Sequence, residues 1–115
     1  MTSAESAQTG RIDKTGSMRE ALTTEERAAL ATAHPDWLIE SDTMGRTFTF
    51  EDFSAAMAFV TRVALAAEKI DHHPDIDVRW NKVTLLVSTH SAGTLTELDR
   101  SLVDTIDGFD TGGGS

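Results

Sequence analysis

Apolar residues recur at Phe53, Ala56, Met57, Val60, Val63, Ala64 and Ala67, three or four positions apart. That stripe predicts one long amphipathic helix from Asp52 to about Ile70. Downstream the period changes to two. Ile76, Val78 and Trp80 alternate with Asp77 and Arg79, and Val83, Leu85 and Val87 alternate with Thr84 and Ser88, Leu86 being the exception. With Asn81-Lys82 as a two-residue turn, Trp80 faces Val83, Val78 faces Leu85 and Ile76 faces Val87. All six then share one apolar face, and a slip of one residue would scatter them. Upstream, Thr23 and Glu26 have the spacing of a capping box, so a helix begins there and ends before Pro35. Asp36 and Trp37 lead into a short strand over Leu38 to Glu40. Asp42 to Gly45 turns the chain, and Arg46 to Phe50 alternates as a second strand. Thr96-Glu97-Leu98-Asp99 opens a last helix carrying Leu98, Leu102, Val103 and Ile106. The order α-β-β-α-β-β-α predicts an α+β fold, a four-stranded antiparallel sheet with helices packed on one face.

The ends lack this patterning. Residues 1–22 are rich in Ser, Thr, Ala and Gly without apolar periodicity, so they are expected to form a disordered tail before a domain over 23–107. Residues 108–115, closing in Gly-Gly-Gly-Ser, are expected to be a second flexible end. A chain of 115 residues suits one domain with a single core. The net charge of −9, from 10 basic and 19 acidic residues, argues against a nucleic-acid or anionic-membrane partner. No apolar run approaches a membrane span, and the N-terminus lacks a basic-then-apolar leader. With no cysteine, disulfides and thiolate chemistry are excluded, and a cytoplasmic location is expected.

Three of the four histidines sit together in the pattern. His72-His73-Pro74 follows the long helix directly, and His90 follows the hairpin. The register above sets His73 opposite His90, with Cβ atoms roughly 5 Å apart. Imidazole titrates near neutrality, so such a convergence points to proton transfer or metal binding. Other readings compete for the same residues. The paired histidines could cap a helix end. Three imidazoles could hold a metal, with Asp71 and Asp75 as supporting carboxylates. Asp99 reads first as the capping-box partner of Thr96, Glu68 as a solvated or oligomer-facing residue, Trp80 as core and His34 as a helix-end residue.

The stretches TRVALAAEKIDHHP (Thr61 to Pro74), WNKV (Trp80 to Val83) and STH (Ser88 to His90), followed by Leu95-Thr96 and Asp99, resemble the pterin-4a-carbinolamine dehydratase family over about Leu22 to Asp107. The resemblance implies an α+β fold and oligomers built from dimers, a homodimer or homotetramer. It implies an enzyme that removes water from 4a-hydroxytetrahydrobiopterin to give quinonoid dihydropterin, in tetrahydrobiopterin recycling after an aromatic amino-acid hydroxylase. His72, His73 and His90 would be the catalytic histidines, His72 and His90 as the acid/base pair. His73 would hold the pterin together with Asp71, Ser88, Thr89 and Ser91. No cofactor and no metal are expected, because the pterin itself supplies the reactive centre. Trp80 stands where tyrosine is common, and Thr94 where glycine usually precedes the Leu-Thr pair, so a different loop is expected before the last helix. A non-catalytic dimerisation or assembly partner with a dehydratase-like fold is the alternative. It would have no need for all three histidines.

Overall fold

A computed structural model of the chain describes residues 19–109. Its elements follow the expected order: α1 (Thr24–Ala33), β1 (Leu38–Glu40), β2 (Thr43–Thr49), α2 (Phe53–Ile70), β3 (Asp75–Arg79), β4 (Lys82–Val87) and α3 (Glu97–Asp107). The four strands form one antiparallel sheet in the order β1-β2-β4-β3. Local chemistry starts each helix. Thr23 and Glu26 close a capping box on α1, the Asp52 side chain accepts from Ala55 N on α2, and Thr96 with Asp99 caps α3.

Met44, Phe48, Val83, Leu85 and Val87 are buried on one face of the sheet, against Ala56, Phe59, Val63 and Ala67 of α2 and Leu102, Val103 and Ile106 of α3. Phe59 links the layers, its ring lying 4.6 Å from that of Phe48 and 5.0 Å from that of Phe50. The opposite face carries Thr47, Thr84, Asp77 and the exposed Leu38 and Leu86. Among the described residues, no helix is long and apolar enough to cross a membrane.

Two turns differ from expectation. β2 begins at Thr43, because Ser41 takes a positive φ of 53° and lets Glu40 pair with Thr43 across a two-residue turn at Ser41-Asp42. The β3–β4 turn is Trp80-Asn81, not Asn81-Lys82, so Val78 faces Val83 and Ile76 faces Leu85. Asn81 explains the choice. Its carbonyl accepts from Phe50 N and its Nδ2 donates to Phe50 O, both at 2.8 Å, which staples it beside the exit of β2. Lys82 is thereby drawn into the ladder, and Trp80 takes the positive φ of 54°. The altered register preserves which residues share a face, yet it removes Trp80 from the core: its exposure is 67%. It also removes the pairing of His73 with His90, since the ladder ends at Asp75 opposite Leu86.

The folded unit extends past both expected boundaries. Ala21 bridges Thr96, Leu22 N donates to Leu95 O at 2.9 Å, and the Leu22 side chain is in the core. At the other end Gly108 caps α3 and Phe109 packs on the core, edge-on to Phe59. The remainder of the two expected tails, residues 1–18 and 110–115, lies outside the described residues.

His34 is likewise more than a helix end. It is buried, with Nδ1 2.7 Å from Asp107 and Nε2 2.6 Å from Asp104. Asp107 also accepts from Trp37 Nε1 at 2.9 Å and Arg46 Nη1 at 3.1 Å. This cluster ties α1, β2 and the end of α3 together.

Leu22 tests the boundary. Because its side chain is 7% exposed, Leu22→Ala should lower unfolding free energy by about 2 kcal/mol, the low end for a buried leucine. Urea denaturation reads this directly, and an unchanged midpoint would return Leu22 to the tail.

Candidate active site

The end of α2 sorts its two histidines. Asp71 caps the helix in the left-handed conformation (φ 52°), its N–H donating to Ala67 O and Glu68 O. Aspartate tolerates this conformation better than most residues. His72 N then donates to Ala67 O at 3.0 Å, completing a reversed last turn. His72 faces inward and is 8% exposed, while His73 faces out.

Inside, the His72 ring meets a carboxylate that the chain has fully buried. Asp99 Oδ1 lies 2.6 Å from His72 Nε2; Asp99 Oδ2 accepts from Thr89 Oγ1 at 2.7 Å and from Thr96 N at 2.9 Å. Thr96 Oγ1 in turn donates to Thr89 Oγ1 at 2.7 Å. A carboxylate only accepts, so the Nε2 of His72 carries the proton. Asp99 therefore completes the expected capping box with one oxygen and anchors His72 with the other. Outside, Glu68 Oε2 lies 2.6 Å from His73 Nε2, so Glu68 orients that ring as well as facing solvent.

β4 delivers the remaining groups. Ser88 Oγ donates to Asp42 O at 2.7 Å, and Thr89 N donates to Thr94 O at 3.0 Å. The intervening loop is closed by Ala92 N and Gly93 N, which both donate to Thr89 O. Gly93 supplies the positive φ of 71° that this loop needs, so the glycine function falls one residue before Thr94. His90 is exposed, and its ring makes no hydrogen bond with a described residue.

All seven residues expected at the site, Asp71, His72, His73, Ser88, Thr89, His90 and Ser91, line one cleft of about 400 Å³, joined by Pro74, Asp75 and Arg19. That is the size range of small-molecule sites, roughly 300–1,000 Å³. An alcove of about 100 Å³ adjoins it, where Thr43 and Leu86 meet His73, Asp75, Ser88 and His90. The histidines thus share a cleft without being cross-strand partners. Their rings go to different partners, and among the described residues no three His, Asp or Glu side chains are grouped as a metal ion would need. Thr89 lines the cleft with its hydroxyl fully buried and donating to Asp99. What results is one imidazole pinned by a buried carboxylate and another open to solvent in the same cleft, a pairing suited to passing protons to and from a bound ligand. Arg19 was invisible in the sequence, an isolated cation in an aperiodic stretch.

Comparison with known proteins converges on one family. A sequence model described as Pterin 4 alpha carbinolamine dehydratase matches residues 20–109. A protein of Rhizorhabdus wittichii, named provisionally as pterin-4-alpha-carbinolamine dehydratase, is 51% identical over 90 residues, covering 76% of this chain and 93% of its own. One of Chloroflexus aurantiacus, with the same provisional name, is 49% identical over 86 residues, or 75% and 92% of the two chains. Among solved structures, a transcriptional coactivator/pterin dehydratase from Brucella melitensis superposes with a TM-score of 0.72 at 34% identity, covering 76% of this chain and 96% of that one. A pterin dehydratase-like protein identified as a RuBisCO assembly factor in the alpha-carboxysome shares the fold alone: TM-score 0.52, 19% identity, 62% and 82% coverage.

Removing the buried carboxylate should be costly. Asp99→Ala leaves His72 Nε2, Thr89 Oγ1 and Thr96 N without their acceptor, so unfolding free energy should fall by about 3 kcal/mol. Asp99→Asn should cost less and release the His72 tautomer, a change visible in the ring nitrogen NMR shifts. An unmoved His72 spectrum in Asp99→Asn would show that Asp99 does not hold the ring.

Proposed function

The chain belongs to the pterin-4a-carbinolamine dehydratase family, and on that footing we propose that it removes water from a 4a-hydroxytetrahydropterin by histidine acid/base catalysis. The supporting observation is the 2.6 Å pairing of His72 with fully buried Asp99, in the cleft that also holds His90. In the reaction the C4a–O bond breaks and the hydroxyl leaves as water, taking a proton from one imidazole. The other imidazole accepts the proton of the adjacent ring nitrogen, and the new carbon–nitrogen double bond yields the quinonoid dihydropterin.

His72 suits the acid. It follows the C-terminal end of α2 and is held there by the Asp99 carboxylate. With Nε2 donating to Asp99, Nδ1 is the atom left for substrate. His90 then serves as base. Each proton transfer contributes roughly 10²–10⁴-fold. His73, oriented by Glu68, would contact the pterin with Asp71, Ser88 and Ser91, while Thr89 would act through Asp99. An assembly-only role would have no need for all three histidines in one cleft, which favours the enzymatic reading. Tetrahydrobiopterin recycling behind an aromatic amino-acid hydroxylase is the setting we propose, in the cytoplasm, where a cysteine-free chain is at home.

We further propose a homo-oligomer, dimer or tetramer. Phe53, Met57 and Leu65 of α2 are exposed, Leu65 at 68%, apolar surface that a second copy would cover.

His90→Ala should lower dehydration of 4a-hydroxytetrahydrobiopterin by at least about 10². Circular dichroism should be unchanged, since the His90 side chain is exposed. Undiminished turnover would remove His90 from the mechanism. Light scattering at micromolar concentration should report a dimer or larger, and a monomer would overturn the oligomer.

A further inference from the structure

Arg19 lies in the cleft, yet nothing in the dehydration requires it. It also precedes the stretch that the family model matches, which begins at residue 20. Its position is nonetheless set by the fold. Two residues on, Ala21 bridges Thr96, and Leu22 is buried and bonded to Leu95 O. Two residues span at most about 7 Å, so Arg19 is tethered beside the cleft. Its tether is the loop that presents Asp99: Thr96 both pairs with Ala21 and caps α3 above the His72 anchor.

Charge makes the placement informative. Arg19 is the one arginine or lysine among the residues lining the cleft, in a chain of net charge −9. Asp71 and Asp75 line the same cleft, but Arg19 forms no ion pair with either and no hydrogen bond with a described residue. Among the described residues nothing else claims its guanidinium, which lines the ligand space. That planar fork matches a carboxylate or phosphate, two oxygens at a time. The reacting part of a 4a-hydroxytetrahydropterin is an uncharged bicycle, already served by the histidines. The group left for Arg19 to read is the ring's side chain.

Resting on the dehydratase reading, we infer that Arg19 is a specificity-determining residue that selects pterins whose side chain carries an anion, a phosphate or a carboxylate, over those with a neutral polyol. Arg19 acts on binding of the side chain and takes no part in proton transfer.

The test uses the full chain and its Arg19→Gln and Arg19→Lys variants, with 4a-hydroxytetrahydropterins bearing a neutral dihydroxypropyl, a phosphorylated or a carboxylated side chain. The readouts are kcat/KM for each substrate, and equilibrium binding of the matching stable reduced pterins at two salt concentrations. The wild-type chain should prefer at least one anionic pterin by about tenfold or more, the contribution of one charge-assisted hydrogen bond. The phosphate and carboxylate arms decide which anion it is. Arg19→Gln should bring the anionic-to-neutral ratio toward one, Arg19→Lys should keep part of it, and salt should erode it in the wild type. Neutral and anionic pterins dehydrated alike, or a preference undiminished in Arg19→Gln, would overturn the assignment while leaving the dehydratase reading intact. Arg19-dependent binding of anionic pterins without dehydration of any would sink the dehydratase reading and keep Arg19 as an anion-selecting residue.

Discussion

The wall of the cleft that carries His72 is organised around one buried carboxylate. Asp99 is wholly withdrawn from water, an arrangement that costs several kcal/mol unless the group is fully hydrogen-bonded. It is: His72, Thr89 and Thr96 all donate to it. Those three donors come from the end of α2, the exit of β4 and the start of α3. Satisfying the one charge therefore brings three elements together, and one wall of the cleft is the place where they meet. Helix capping and support of a histidine are the same event here, one oxygen for each.

The far end of α3 repeats the device. Asp104 and Asp107 lie in a last turn where carboxylates oppose the helix dipole; His34 contacts both, and Arg46 pairs with Asp107. α3 is thus pinned at both ends by carboxylate–histidine contacts, His72 from α2 at the start and His34 from α1 at the finish. A helix held this way keeps the His72 wall of the cleft in place. His73, His90 and Ser91 line the same cleft and are exposed. The site combines an imidazole fixed by a buried carboxylate with a solvent-facing rim.

Much was legible in the chain because it is local. Helical periodicity over Phe53 to Ala67, the capping boxes at Thr23 and Thr96, the alternation in β3 and β4, and the His72-His73-Pro74 run after the long helix are each set by neighbours a few residues apart. They determined the elements, their order, the shared apolar face and the histidines of the cleft. Tertiary structure decided what depends on contacts across the fold. Asn81 bonded to Phe50 shifted the hairpin turn and turned Trp80 out to solvent. Leu95 and Thr96 drew Ala21 and Leu22 into the domain and set Arg19 at the cleft. The histidines came together through Asp71's left-handed turn and the Asp99 anchor, not through a strand pairing. Partners 27 residues apart, as His72 and Asp99 are, leave no periodicity in a sequence; only the packed chain, which must satisfy each buried charge, brings them within reach of each other.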